Sequence, residues 1–211
     1  LDSMTGDTIW MSEVTSEVLA PVAIKDESIF VRSVDGNLMS YSTIDGSVNW
    51  TSTHDVPRLS LRGTSAPVVI SNAVICGFDD GKVTAYDLTD GSLLWETMLT
   101  PPGGRTEIEK VSDIDAPLVI YGNEVYAGSY QGALAALAIE SGNIIWLTEA
   151  SLYAGMDLDD DVVFASEANG TIRALSRFTG REVWKKETLL HRYPTAPAII
   201  GDAIVVGDLE G

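Results

Sequence analysis

Short apolar runs punctuated by turn residues recur along the whole chain, and no stretch keeps an i, i+3, i+4 apolar stripe long enough for a helix. A consensus unit is visible. A proline opens an apolar run, a turn leads to a second run, and an Asp-Gly type turn leads to a third, alternating run. A further x-Gly turn then precedes a short run ending in tryptophan. Four short runs separated by turn signals predict four strands. Asp80-Gly81 and Asn169-Gly170 are strong hairpin turns, since glycine adopts positive φ without steric cost.

All five tryptophans fall in one frame: Gly6-x-x-x-Trp10, Gly46-x-x-x-Trp50, Gly91-x-x-x-Trp95, Gly142-x-x-x-Trp146 and Gly180-x-x-x-Trp184. Ten residues before the last four of those glycines stands another, at Gly36, Gly81, Gly132 and Gly170. Pro21, Pro67, Pro117 and Pro197 open the units. Successive tryptophans lie 40, 45, 51 and 38 residues apart. A period near forty built of four strands is one blade of a β-propeller, so the expected fold is all-β. The expected blades are approximately 11–50, 51–95, 96–146 and 147–184, with partial blades at 1–10 and 185–211, all in one domain. A four-stranded blade cannot cover its own faces and must pack on its neighbours. Trp10, Trp50, Trp95, Trp146 and Trp184 are therefore read as blade-docking residues, each reaching across a gap where a nearby glycine lets the backbone approach. The terminal remnants either pair into a fifth, composite blade or belong to a larger ring of which the chain is a piece. The larger ring is the expectation, and a start at Leu1 points to a processed product or an excised fragment.

Function on a repeat scaffold sits in the loops that depart from the pattern. Trp10 to Pro21 spans 11 positions and Trp184 to Pro197 spans 13, but Trp50 to Pro67 spans 17 and Trp95 to Pro117 spans 22. Two adjacent connections are thus enlarged, and equivalent propeller loops emerge on one face. In the first, Leu59 and Leu61 alternate with polar residues beside Arg58 and Arg62. That pattern resembles an interface hot spot, the competing reading being leucines tucked under the loop. In the second, Asp113 and Asp115 sit just before the next strand, and carboxylates at i, i+2 on an extended segment point the same way. They suit a catalytic pair, a cation site, a partner contact or a solvated edge.

Charge narrows the partners. A net charge of −18 excludes docking on nucleic acid or on anionic lipid through a basic patch. The single cysteine, Cys76, lies in an apolar run and reads as a buried, inert thiol, leaving the redox compartment open. His54 and His191 lack ligand spacing, and no metal site is expected. The acidic run Asp157 to Asp161 falls at an inter-strand turn without the glycine-punctuated pattern of a calcium loop. No nucleophile elbow or phosphate-binding glycine loop occurs.

The segments Leu59-Ser60-Leu61-Arg62-Gly63, Ser65-Ala66-Pro67, Thr106-Glu107-Ile108 and Ser112-Asp113-Ile114-Asp115 resemble the BamB (YfgL) family of outer-membrane β-barrel assembly lipoproteins. Leu189 to Arg192 and Val206 to Asp208 with Glu210-Gly211 are similar to the same family. The resemblance implies an eight-bladed propeller, lipid-anchored at the periplasmic face of the bacterial outer membrane. It further implies a non-enzymatic scaffold of the BAM complex, without a cofactor, that binds the periplasmic domains of BamA alongside other BAM subunits. Carried over by position, the partner-binding residues are Leu59, Leu61, Arg62, Asp113 and Asp115. The blade motif alone is shared with quinoprotein propellers, as in Ala85-x-Asp87-x-x-Asp90-Gly91-x-x-x-Trp95. An enzyme dependent on pyrroloquinoline quinone and calcium is therefore the alternative reading.

Overall fold

Apolar residues alternate along short segments between glycine turns, and each such segment becomes a strand of an antiparallel meander. The computed structural model describes residues 1–56, 65–99 and 113–210. Among these the first sheet orders β1 (Ala23–Lys25), β2 (Ser28–Arg32), β3 (Asn37–Ser42) and β4 (Val48–Thr53). The second holds β5 (Val68–Val69), β6 (Ala73–Gly77), β7 (Lys82–Asp87) and β8 (Leu93–Met98). The third holds β9 (Val119–Tyr121), β10 (Glu124–Gly128), β11 (Gly132–Ala138) and β12 (Ile144–Ala150). The fourth holds β13 (Leu152–Leu158), β14 (Val162–Glu167), β15 (Ile172–Ser176) and β16 (Glu182–Lys186), and β17 (Ala198–Ile200) pairs with β18 (Ala203–Val205). Each four-stranded sheet is one blade of a β-propeller. The first ten residues form no strand, although Trp10 still docks on the first blade.

Strand burial follows position in the blade. The second and third strands are almost wholly buried, as in β6 and β11, whereas the outer strands β4, β8 and β12 bury only every second or later residue. Tryptophan is buried in each of those outer strands, joined in β12 by Ala150. The register of every third-to-fourth strand pair slips at the same place, between Ser40/Tyr41, Ala85/Tyr86, Ala136/Leu137 and Ala174/Leu175. A bulge there increases local twist and re-aims the side chains of the outer strand.

The blades join by one repeated device. The indole Nε1 of Trp10, Trp50, Trp95 and Trp146 donates to a carbonyl of the following blade, that of Thr43, Leu88, Ile139 and Arg177, at 2.9, 3.1, 3.0 and 2.6 Å. The ring lies against the glycine of the next blade's own Gly-x-x-x-Trp motif. A Cβ added at Gly142, where φ is +69°, would stand 2.5 Å from Trp95 Cε3. Two residues after each of these tryptophans a hydroxyl repeats the link. Ser12, Ser52, Thr97 and Thr148 donate to the carbonyls of Gly46, Gly91, Gly142 and Gly180.

Candidate functional site

The two enlarged connections leave the first two blades side by side, and their roots meet in a cluster of charged and aromatic groups. Leu59, Leu61 and Arg62 lie outside the described residues, as do 100–112 of the second connection. Asp113 and Asp115 are described. Asp113 is fully buried, and Asp115 is partly covered.

The segment that carries them is clamped between blades two and three. Ile114 is fully buried and its amide donates to the Phe78 carbonyl at 3.2 Å, while the Asp113 carbonyl accepts from Tyr130 at 2.9 Å. Gly77 makes the approach possible. A Cβ there would stand 2.4 Å from Ile114 Cγ2 and 3.0 Å from Ser65 Oγ, and Ser65 belongs to the far end of the first connection.

Beneath the aspartates lies a buried ion pair. Arg32 ends β2 of the first blade, and its Nη2 donates to Asp79 Oδ1 of the second blade at 2.6 Å, with both side chains almost wholly buried. The guanidinium also stands 4.8 Å from the centroid of the Phe78 ring, a cation–π contact. Asp115 lies within the electrostatic reach of both Arg32 and Asp79. Burial pushes the Asp115 carboxyl up to about 6, Asp79 adds to the rise, and Arg32 opposes it.

On the other side of Phe78 stands the root of the first connection. His54 follows β4 and stacks on Phe78 with centroids 3.9 Å apart and planes 20° apart. Its Nε2 lies 2.9 Å from Asp80 Oδ2 and its Nδ1 3.6 Å from Glu96 Oε2. Lys82 completes the ring of charges, 3.2 Å from Asp80 and 3.0 Å from Glu96. Burial raises the Asp80 carboxyl, but the hydrogen bond and charge from His54, with Lys82, outweigh it and hold the group below its usual value. The Glu96 hydrogen bond leads the causes that raise Lys82. Glycine again permits the geometry: a Cβ at Gly36 would stand 2.2 Å from the His54 carbonyl oxygen.

Sequence reasoning reached the aspartates but not Arg32, Phe78, Asp79 or the role of His54. A signal existed in the repeat frame. Four residues before the turn glycine the other blades carry Gly77, Gly128 and Ser166 where the first carries Arg32. Two residues before it they carry Val34, Tyr130 and Ala168 where the second carries Asp79. Cys76 is buried in β6, and desolvation pushes its thiol up to about 12, so it stays a thiol.

Asp115 makes stability depend on pH. Its folded value of about 6 exceeds the ordinary 3.8, so the folded state holds the proton more tightly than the unfolded chain does. The contribution of Asp115 to stability is therefore fully present below pH 4 and is lost as pH rises through 6. After discounting for its partial solvent screening, Asp115→Asn is expected to stabilise the protein by about 1–2 kcal/mol at pH 8. Urea unfolding at a series of pH values should show this gain closing towards pH 4, and a gain independent of pH would refute the assignment.

Comparison with known proteins fits this architecture. The family model described as outer membrane protein assembly factor BamB matches residues 1–186. Outer membrane protein assembly factor BamB of Yersinia pestis is 36% identical over 211 residues, covering 100% of this chain and 54% of that protein. The crystal structure of BamB from Moraxella catarrhalis superposes with a TM-score of 0.94 at 31% identity, covering 100% of this chain and 64% of that one. A europium-containing methanol dehydrogenase superposes at 0.63 with 17% identity, covering 80% of this chain and 41% of that one, which shows a shared fold alone. The chain spans about half the length of the Yersinia relative.

Proposed function

The chain belongs to the family of the outer membrane protein assembly factor BamB, and from that premise we propose that it forms part of a non-enzymatic scaffold binding the periplasmic domains of BamA. In this reading the longer protein is lipid-anchored at the periplasmic face of the outer membrane and supports the folding and insertion of outer-membrane proteins. The observation that carries it is the convergence of the described ends of the two enlarged connections. His54, Ser65 and Ile114, which flank them, all pack on Gly77 and Phe78 of the second blade.

The docking face then combines Leu59, Leu61 and Arg62 of the first connection with the segment rooted by Asp113 and Asp115. The arginine supplies a directional cation of the kind enriched at protein-binding hot spots, and the leucines beside it supply apolar area to bury. The segment is held in place by the Ile114 amide on the Phe78 carbonyl and by the Asp113 carbonyl on the Tyr130 amide. A protein partner also suits a surface whose net charge of −18 repels phosphate.

Alanine at Leu59, Leu61 and Arg62 together is expected to weaken binding of BamA periplasmic domains by about tenfold or more. Isothermal titration with the complete protein measures this, and the thermal unfolding profile should remain native. An unchanged affinity in the folded triple variant would defeat the reading.

A further inference from the structure

Phe78 touches both halves of the site by different atoms. Its ring carries His54, three residues ahead of position 57, with centroids 3.9 Å apart. Its carbonyl carries the amide of Ile114, between the two aspartates, at 3.2 Å. The same carbonyl accepts from Gly81 at 3.2 Å, and the Phe78 amide donates to Lys82 at 2.8 Å, so the backbone is held in the β6–β7 turn of blade two. The ring is fully buried, with the Arg32 guanidinium 4.8 Å from its centroid and Tyr86 edge-on at 6.5 Å. The equivalent positions of the other blades are Ser33, Ser129 and Glu167. An aromatic ring at this place is therefore peculiar to the blade lying between the two enlarged connections.

We propose that Phe78 is a positioning residue that fixes the root of the first enlarged connection relative to the root of the second, acting through His54 on one side and Ile114 on the other. The proposal rests on the reading that both connections form one docking face. A stacked ring restrains His54 in translation and tilt, and a buried amide-to-carbonyl bond restrains Ile114. Because both restraints end on one rigid turn, a displacement of either root is felt by the other. A partner engaging this face then meets the two roots, at His54 and Ile114, already in register, which lowers the ordering cost of binding.

Two experiments on the complete protein test this, one without the partner and one with it. In the first, hydrogen exchange of the Ile114 amide is followed in His54→Ala and in Phe78→Leu. Both should exchange about fivefold faster or more while amides of blade four are unchanged, as expected for a local opening. An Ile114 amide indifferent to His54→Ala overturns the proposal, and this arm stands even where Phe78→Leu does not fold.

In the second, affinity for BamA periplasmic domains is measured for Leu59→Ala with Leu61→Ala, for Asp115→Asn, and for their combination. The combined loss should depart from the product of the separate losses by about threefold or more, and in Phe78→Leu that departure should vanish. A merely structural role would lower every affinity alike and leave the departure in place, overturning the proposal, as would its absence from the native protein. Loss of the docking reading has a different signature: neither loop substitution changes affinity, while the accelerated Ile114 exchange persists.

Discussion

Arg32→Ala is expected to destabilise the protein by about 3–5 kcal/mol, the range for removing one partner of a buried ion pair. The Arg32 and Asp79 side chains are 0% and 2% exposed. Without the guanidinium the Asp79 carboxylate is left buried and uncompensated, close to Asp115. The contact with the Phe78 ring is lost as well. Urea denaturation at pH 7 measures the effect, and a cost below about 1 kcal/mol would contradict this account. A second variant separates charge from packing. Arg32→Met combined with Asp79→Leu removes both charges while keeping volume, and it should recover most of the lost stability. Such recovery would mean that the pair adds little net stability over apolar side chains of the same volume.

The second large effect concerns the blade seams. Trp95→Ala removes an indole that is 8% exposed, together with its bond to the Ile139 carbonyl, at an expected cost of about 3–5 kcal/mol. Gly142→Ala is also expected to be costly, for two separable reasons. Its positive φ of +69° contributes about 1–2 kcal/mol for a residue with a Cβ. The clash of that Cβ with Trp95 contributes about 1–3 kcal/mol more through overpacking. In the double variant the clash with the indole disappears, and what adds to the Trp95→Ala loss is the backbone strain and the contact with Thr97 Oγ1, 2.7 Å from that Cβ. Denaturation midpoints should therefore be subadditive by about the size of the clash. Strict additivity would show that the indole and the glycine do not meet.

Much of the architecture was legible in the order of residues because it rests on repetition. Gly-x-x-x-Trp recurs in one frame, and the four strands of a blade follow from the turn glycines between apolar runs. The hydroxyls two residues after the tryptophans stood equally in view, at Ser12, Ser52, Thr97 and Thr148. They escaped notice because a hydroxyl on an outer strand looks like ordinary polar alternation, and its role appears only when the next blade's carbonyl is in place. The glycine that receives each indole proved to belong to the following blade.

The candidate site was legible only at its rim. Unequal tryptophan spacing exposed the two connections and Asp113 and Asp115 at the end of one. Its interior was not legible, since Arg32 and Asp79 stand 47 residues apart and meet only once two blades dock. Asp80-Gly81 reads as a hairpin turn. In the structure Asp79 and Asp80 both lie in that turn and diverge, one going to Arg32 and the other to His54. Both partners come from the first blade, far off in sequence.

The seam device carries a consequence for how such a molecule arises. Four successive junctions consist of one indole, one receiving glycine and one hydroxyl in the same positions, and after Trp184 the hydroxyl's place is taken by Lys186. Units that carry all three parts can therefore follow one another without a new surface having to be invented. Gene duplication can lengthen or shorten such an array in single steps, and selection is free to act on the connections alone. The contacts around Phe78 add a second, particular layer to this device, as does Arg177 of the fourth blade, which reaches Glu124 of the third at 2.6 Å and stands 4.9 Å from the Tyr121 ring. Such additions mark the places where interchangeable units became particular pairs, bound to their own order in the ring.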